Sequence, residues 1–301
     1  MLLIIGAILF GFWNEASSNS RSEEKRKIFI FSKHLQWLNY EDMATTAKKL
    51  GFDGVDLTVR PGGHIEPEEV VDKLPVAVAA IRNEGLIINT ITTAITDTDD
   101  ANTEKIIKTA ARLGISRLRL GWYELDEDLS MDANLELISN KMNEVNDLCA
   151  RYKVRADYQN HSGDGFGASI WDIREVYKKI NPDWLGIRYD VRHATVEGTY
   201  SWINDLKIIR QYIKSLDIKD YNWEETEEGL EPGNVPLGDG MVDFRQYANL
   251  LKELDIQGDI TLHLEYPLGG AEHGERKLTI DPAIVLDAIK KDLLYIKKHV
   301  L

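Results

Sequence analysis

The chain has 301 residues, 43% of them hydrophobic, and sets 50 Asp and Glu against 36 Lys and Arg for a net charge of −14. That much apolar material builds one large core and excludes a disordered or fibrous class. The acidic excess, with no Lys/Arg-rich run to overturn it, argues against nucleic-acid and anionic-membrane partners, and the lone Cys149 excludes an intramolecular disulfide or a cysteine metal cluster.

The chain opens on an uncharged apolar run of 12 residues, Leu2–Trp13, followed by "NEASSNS", with Ala16 and Ser18 spaced like a small-residue cleavage site. This run is too short to span a bilayer comfortably and has the length of a signal-peptide core, although the segment before it lacks Lys and Arg. Residues 1–18 are read as a signal peptide, which predicts an exported, periplasmic protein with no stable membrane span after its removal. An uncleaved anchor is the alternative. Residues 19–27, "NSRSEEKRK", read as a solvated linker.

From residue 28 one theme repeats. "AKKLGFDGVDLTV", "IRNEGLIINTITT" and "AARLGISRLRLGW" each show a helix end, a glycine suited to a left-handed cap, and a short apolar strand. The glycines Gly51, Gly85 and Gly114 lie 34 and 29 residues apart, the spacing of a βαβ unit. The pattern predicts eight strands near 28–33, 54–59, 87–93, 116–122, 154–160, 185–190, 213–219 and 258–265, with helices between. Residues 28–301 are thus read as a single-domain α/β fold, a (β/α)8 TIM barrel, with a doubly wound open sheet as the alternative.

Active sites in such barrels gather at the C-terminal ends of the strands. Those ends carry Lys33 and His34; Asp56, Thr58 and Arg60, with His64 just beyond; Arg119 and Trp122; Gln159, Asn160 and His161; Asp190 and His193; Asp217, Lys219 and Asp220; and His263 and Glu265. In the eighth strand, "TLHLEYPLGG", the alternation of Thr261, His263 and Glu265 with Leu262 and Leu264 puts the polar residues on one face. Turning that face inward holds a histidine and a carboxylate at a cost that points to chemistry. "GDGFGA" (163–168) fits a dinucleotide-binding pattern formally. Asp164 opposes a pyrophosphate there and the loop follows a fifth strand, so no nucleotide cofactor is expected. "EETEEGLEPG" (224–233) reads as a solvated acidic loop or a lid.

At these strand ends the sequence resembles the xylose isomerase-like TIM-barrel superfamily, through "YDVRHA", "LDIKD", "VPLGDGMVDF" and "LHLEYP". More narrowly, "FSKHLQWL", "GFDGVDLTVRPGGH", "YQNHSG" and "EYPLGGAE" resemble a bacterial branch of it. The resemblance implies a sugar isomerase or epimerase acting by divalent-metal-assisted proton abstraction next to a carbonyl. Members of the superfamily hold the cation with Glu, Asp, His and Glu from strands 5 to 8, positions that carry Gln159, Asp190, Asp217 and Glu265 here. An all-oxygen set of this kind suits Mg, Mn or Ca more than Zn, and Lys219 is the rival source of positive charge.

The resemblance makes Glu265 the base, with Lys219, His193, His161 or His263 relaying the second proton, because Gln159 cannot exchange protons. Lys33, His34, Arg60, His64, Trp122 and His263 are candidates to bind a carbohydrate substrate. Arg60, Arg119 and Lys33 are open to two uses, holding a substrate anion or balancing the carboxylates. Asp190 has the bland alternative of capping the next helix, and each histidine that of a packed spacer. A lyase or hydratase acting on keto sugars or oxidised glycosides, and a non-catalytic carbohydrate-binding protein, are the other functions considered. A homo-oligomer is left open.

Overall fold

The computed structural model describes residues 26–180, 182–227 and 229–301. The apolar run, the expected cleavage site and most of the expected linker lie outside the described residues. The linker's last two residues belong to the barrel wall. Arg26 Nη1 donates to the Gly258 carbonyl at 3.0 Å, and the Lys27 N–H donates to Asp259 Oδ1 at 3.3 Å.

The strands run β1 (Ile28–Phe31), β2 (Gly54–Thr58), β3 (Thr90–Thr92), β4 (Arg117–Arg119), β5 (Arg155–Gln159), β6 (Leu185–Asp190), β7 (Ile213–Ile218), β8 (Asp220–Thr226), β9 (Gly229–Val235) and β10 (Asp259–Leu262). All but β8 and β9 are parallel and close a barrel in the order β1-β10-β7-β6-β5-β4-β3-β2. Eight expected strands are therefore eight barrel strands, and the open-sheet alternative falls away. The helices are α1 (Tyr40–Leu50), α2 (Val70–Asn83), α3 (Thr103–Arg112), α4 (Met131–Tyr152), α5 (Ile170–Lys179), α6 (Val191–Gly198), α7 (Trp202–Ile209), α8 (Phe244–Glu253) and α9 (Pro282–His299). No helix among the described residues is long and apolar enough to cross a membrane.

The repeated glycine does what its spacing suggests. Gly51 ends α1 at φ 92°, where a side chain would be strained, and its N–H closes the helix on the Ala47 and Lys48 carbonyls. The chain then turns straight into β2.

One expectation is corrected. The acidic stretch 224–233 is not an irregular loop, because β8 and β9 pair antiparallel from Asp220↔Val235 to Thr226↔Gly229. The alternation of Tyr221 and Trp223 with polar residues supports a ribbon, a signal that the run of glutamates hides.

The two faces of the barrel strands differ sharply in polarity. Their apolar residues, among them Val55, Leu57, Ile187, Tyr189, Leu216, Ile260, Leu262 and Leu264, are fully buried in the hydrophobic core. Burying each such side chain contributes roughly 1.5–3 kcal/mol, which holds the helical ring in place. The alternate residues point into the barrel and are mostly polar, where packed barrels usually carry Val, Ile and Leu. At the N-terminal end of this interior Asp157 Oδ2 takes a bond from Ser215 Oγ at 2.6 Å and an ion pair from Arg117 at 3.3 Å. Everything above that layer belongs to the site.

Candidate active site

The middle layer of the interior is built on Arg188, which is 2% exposed. Its Nη2 lies 2.7 Å from Asp56 Oδ2 and its Nε 2.6 Å from Asp217 Oδ1. Thr92 Oγ1 donates to Asp56 at 3.0 Å, and His263 Nε2 lies 3.3 Å from Asp217 Oδ1. Burial alone would raise the Asp217 carboxyl, but Arg188 and His263 bring its pKa down to about 2. Burial would likewise lower the Arg188 guanidinium, and the two carboxylates carry it above the ordinary arginine value. A buried charge is tolerable only when paired in this way.

Above it, at the strand ends, runs a second chain of contacts. Arg119 Nη1 donates to Gln159 Oε1 at 3.0 Å, and Gln159 Nε2 donates to Asp190 Oδ2 at 2.9 Å. Lys219 Nζ lies 3.3 Å from Asp190 Oδ2 and 2.9 Å from Glu265 Oε2, while Lys33 Nζ lies 2.9 Å from Glu265 Oε1. Burial would raise the Glu265 carboxyl, but Lys219 and Lys33 hold it well below the usual carboxylate range. Asp190, fully buried, is pushed up by burial, with Lys219 opposing. Burial would lower the Lys219 ammonium, and Asp190 and Glu265 raise it above the ordinary lysine value. Lys219 and Glu265 are therefore charged at neutral pH, whereas burial draws the Lys33 ammonium below the ordinary lysine value, with Glu265 opposing.

These strand ends line a small cavity of about 50 Å³, walled by Phe31, Lys33, Arg60, Arg119, Trp122, Gln159, His161, Lys219, His263 and Glu265. A larger, more open groove at the opposite, N-terminal end of the barrel is lined by Arg117, Lys214 and Gly258 among others. It lies away from the paired carboxylates and, in barrel folds, at the end concerned with stability.

Of the residues singled out from sequence, Lys33, Arg60, Trp122, His161, Lys219, His263, Gln159 and Glu265 meet at this cavity. His34 does not. It is fully buried, Leu264 N–H donates to its Nε2 at 3.0 Å, and its Nδ1 bonds the Ala271 carbonyl at 3.2 Å, so both nitrogens are committed to the loop after β10. His64 is also set back. Its Nδ1 lies 3.1 Å from Ser32 Oγ, and burial lowers its pKa to about 4. Both are corrected from substrate contacts to structural histidines. His193 stands behind His161, their ring centroids 3.9 Å apart, with Nδ1 on Ser162 Oγ at 2.8 Å. Asp190 does cap α6, its Oδ1 accepting the His193 N–H at 3.2 Å, while its other oxygen stays in the charge chain. His161 Nδ1 meets the Ser162 carbonyl at 2.8 Å and must donate to it, which leaves Nε2 as a bare acceptor. Burial, then Lys219, lowers its pKa to about 4, so the ring is neutral.

Two residues escaped the sequence reading. Arg188 stands two before Asp190 and shares its inward face, so strand parity alone could have found it. Phe31, stacked on His263 at 4.4 Å between centroids, reads in sequence as ordinary core.

The donor set does not fit the expected divalent cation. The Gln159 oxygen is turned to Arg119, Asp217 is paired with Arg188 one layer down, and the Lys219 ammonium already lies between Asp190 and Glu265. Among the described residues, no three of His, Cys, Asp and Glu come together as metal ligands. A further positive charge beside Lys219 would be repelled, whereas the Lys219 and Lys33 ammonium groups already answer Asp190 and Glu265.

No curated protein matches the chain in sequence. Solved structures do match in fold. A 3-keto-D-glucoside 4-epimerase from E. coli superposes with a TM-score of 0.68 at 17% identity, covering 91% of this chain and 100% of that one. D-psicose 3-epimerase from Clostridium cellulolyticum H10, solved with D-tagatose, gives 0.70 at 12% identity over 91% and 99% of the two chains. A xylose isomerase-like TIM barrel protein from Mycobacterium smegmatis, solved in complex with magnesium, gives 0.64 at 15% identity over 89% and 98%. The family model "Xylose isomerase-like TIM barrel" matches residues 44–285, most of the sequence and the whole run from α1 into α9. The chain belongs to the xylose isomerase-like TIM barrel family.

Proposed function

We propose that this protein is a sugar isomerase or epimerase that moves a proton at the carbon next to a carbonyl, with the Lys219 ammonium supplying the positive charge that the resemblance assigned to a metal. One observation carries the reading. Glu265, with its side chain 22% exposed, reaches the wall of the cavity as an ionised carboxylate clamped between Lys219 and Lys33.

In the step this arrangement supports, the substrate C–H bond breaks and its proton goes to a Glu265 oxygen. The electron pair moves onto the neighbouring carbonyl oxygen, and Lys219 stabilises the enediolate that forms. As the ammonium turns to that oxyanion, Glu265 loses part of its ion pairing and its basicity rises toward the value a general base needs. His161 Nε2, neutral and an acceptor, takes the proton of the neighbouring hydroxyl and delivers it to the former carbonyl oxygen, while Glu265 returns its own proton to the adjacent carbon. That is a one-base isomerisation. Gln159, which has no proton to exchange, disfavours a symmetric two-base epimerisation. The neighbours named as keto-sugar epimerases support a carbohydrate of this class. A lyase would share Glu265 and Lys219 and differ in product.

The test is solvent deuterium uptake by a panel of keto sugars. Uptake by the wild type that falls at least about 100-fold in Glu265→Gln, with the fold retained, is the expected result. An unsaturated product moves the assignment to the lyase. Saturable binding with neither exchange nor product overturns the enzymatic reading in favour of a carbohydrate-binding protein.

A further inference from the structure

Among the charged groups lining the cavity, those on the β7–β10–β1 side answer one another, and those on the β2–β4 side do not. Lys219 and Lys33 are both paired with Glu265. Arg60 and Arg119 follow or end strands on either side of β3, and among the described residues neither guanidinium has a carboxylate within 4.0 Å.

Arg119 is 3% exposed. Its one hydrogen bond from the guanidinium is to the neutral Gln159, and its Nε is buried with no partner among the described residues. Arg60 makes no side-chain hydrogen bond among the described residues. Each guanidinium lies over an aromatic ring, the Arg60 Cζ 5.6 Å from the Phe31 centroid and the Arg119 Cζ 4.4 Å from that of Trp122. A ring contact uses no N–H donor, so the N–H groups beyond the one on Gln159 remain to act as the planar fork that takes carboxylate or phosphate oxygens. Burial, and then repulsion from Arg60 and Arg188, lowers the Arg119 pKa to about 9, the mark of a cation short of a counter-charge. In a chain of net charge −14, the concentration of unpaired positive charge on one wall runs against the overall balance.

We infer that the substrate carries an anionic group, a carboxylate or a phosphoryl, held by Arg60 and Arg119 at the β2–β4 wall while its reacting carbon faces Glu265 and Lys219. This rests on the proposed function for the reacting end only. A buried guanidinium without a partner is costly, and an oxyanion that accepts its free N–H groups removes the cost on binding. The same contact orients the sugar, because Lys219 and Lys33 are already engaged by Glu265 and Asp190, which leaves the two arginines as the unanswered cations.

The test is calorimetric binding of three probes that share one skeleton, D-glucose, D-glucuronate and D-glucose 6-phosphate, to the full protein. The expected result is that one charged probe binds at least about tenfold more tightly than glucose. Which of the two does so distinguishes the carboxylate from the phosphoryl. Arg60→Gln and Arg119→Gln should each erase most of that preference. Arg60, only partly buried, serves as the variant that keeps its fold should Arg119→Gln lose stability. Equal affinity for all three probes, binding of none, or a charged preference that survives both substitutions overturns the inference. Deuterium uptake by neutral ketoses would persist in those cases if the proposed chemistry holds, so the two failures are distinguishable.

Discussion

Replacing Lys219 with Met tests the view that an ammonium holds this site together. Lys219 Nζ lies 2.9 Å from Glu265 Oε2 and 3.3 Å from Asp190 Oδ2, and the residue is only 3% exposed. At an effective dielectric constant of about 20 the two pairs are worth roughly 6 and 5 kcal/mol of gross attraction. Desolvation of three charged groups offsets several kcal/mol of that. Glu265 keeps Lys33, and Asp190 keeps the Gln159 amide and the His193 N–H. The expected net loss is about 3 kcal/mol at neutral pH, the lower end of the range for breaking a buried pair.

The pH dependence follows from the signs of the shifts. The folded pKa of Glu265 lies below its unfolded value, so its ion pairs stabilise the fold above the unfolded value and lose that contribution as pH falls through the folded one. The folded pKa of Asp190 lies above its unfolded value, so its contribution weakens as pH rises between the two. Losing Lys219 raises both folded values. The penalty should therefore be greatest at neutral pH and shrink on acidification toward the unfolded carboxylate range near about 4. Urea denaturation of wild type and Lys219→Met, at neutral pH and near pH 5, measures it. A neutral-pH penalty below about 1 kcal/mol, the scale of an exposed surface pair, or a penalty that grows as pH falls would refute the reasoning.

Two further outcomes follow from the same geometry. Arg188→Met leaves buried Asp56 with only the Thr92 hydroxyl and Asp217 with only His263, so it should cost about 3–5 kcal/mol. Adding Asp56→Asn and Asp217→Asn should restore most of the loss, and denaturant midpoints of the single and triple variants check this. Dialysis against EDTA should shift the thermal midpoint by less than about 2 °C, because the ammonium already occupies the place between the carboxylates. A larger drop, reversed by added Mn, would show that a cation contributes to the folded state.

Much of the architecture was legible in the chain because it depends on local chemistry. The recurring glycine after each early helix demands a left-handed cap, and strand parity commits Leu262 and Leu264 to the helix-facing core, with His263 and Glu265 on the other face. Those rules involve only neighbours in sequence, and they are enough to specify eight β/α units and the rim where polar groups gather. The ribbon at 220–235 was missed because its glutamates mask the alternation of Tyr221 and Trp223. The roles of individual charged groups depended instead on residues far apart in sequence. Lys219 meets Asp190 and Glu265 from three strands, Arg188 joins Asp56 to Asp217, and His34 bonds the loop after β10 some 230 residues away. Which cation answers which carboxylate is set by distance in the closed barrel. Strand parity could predict that Arg60, Arg119, Lys33 and Lys219 share a rim. Only tertiary packing decided that the lysines are paired and the two arginines are not.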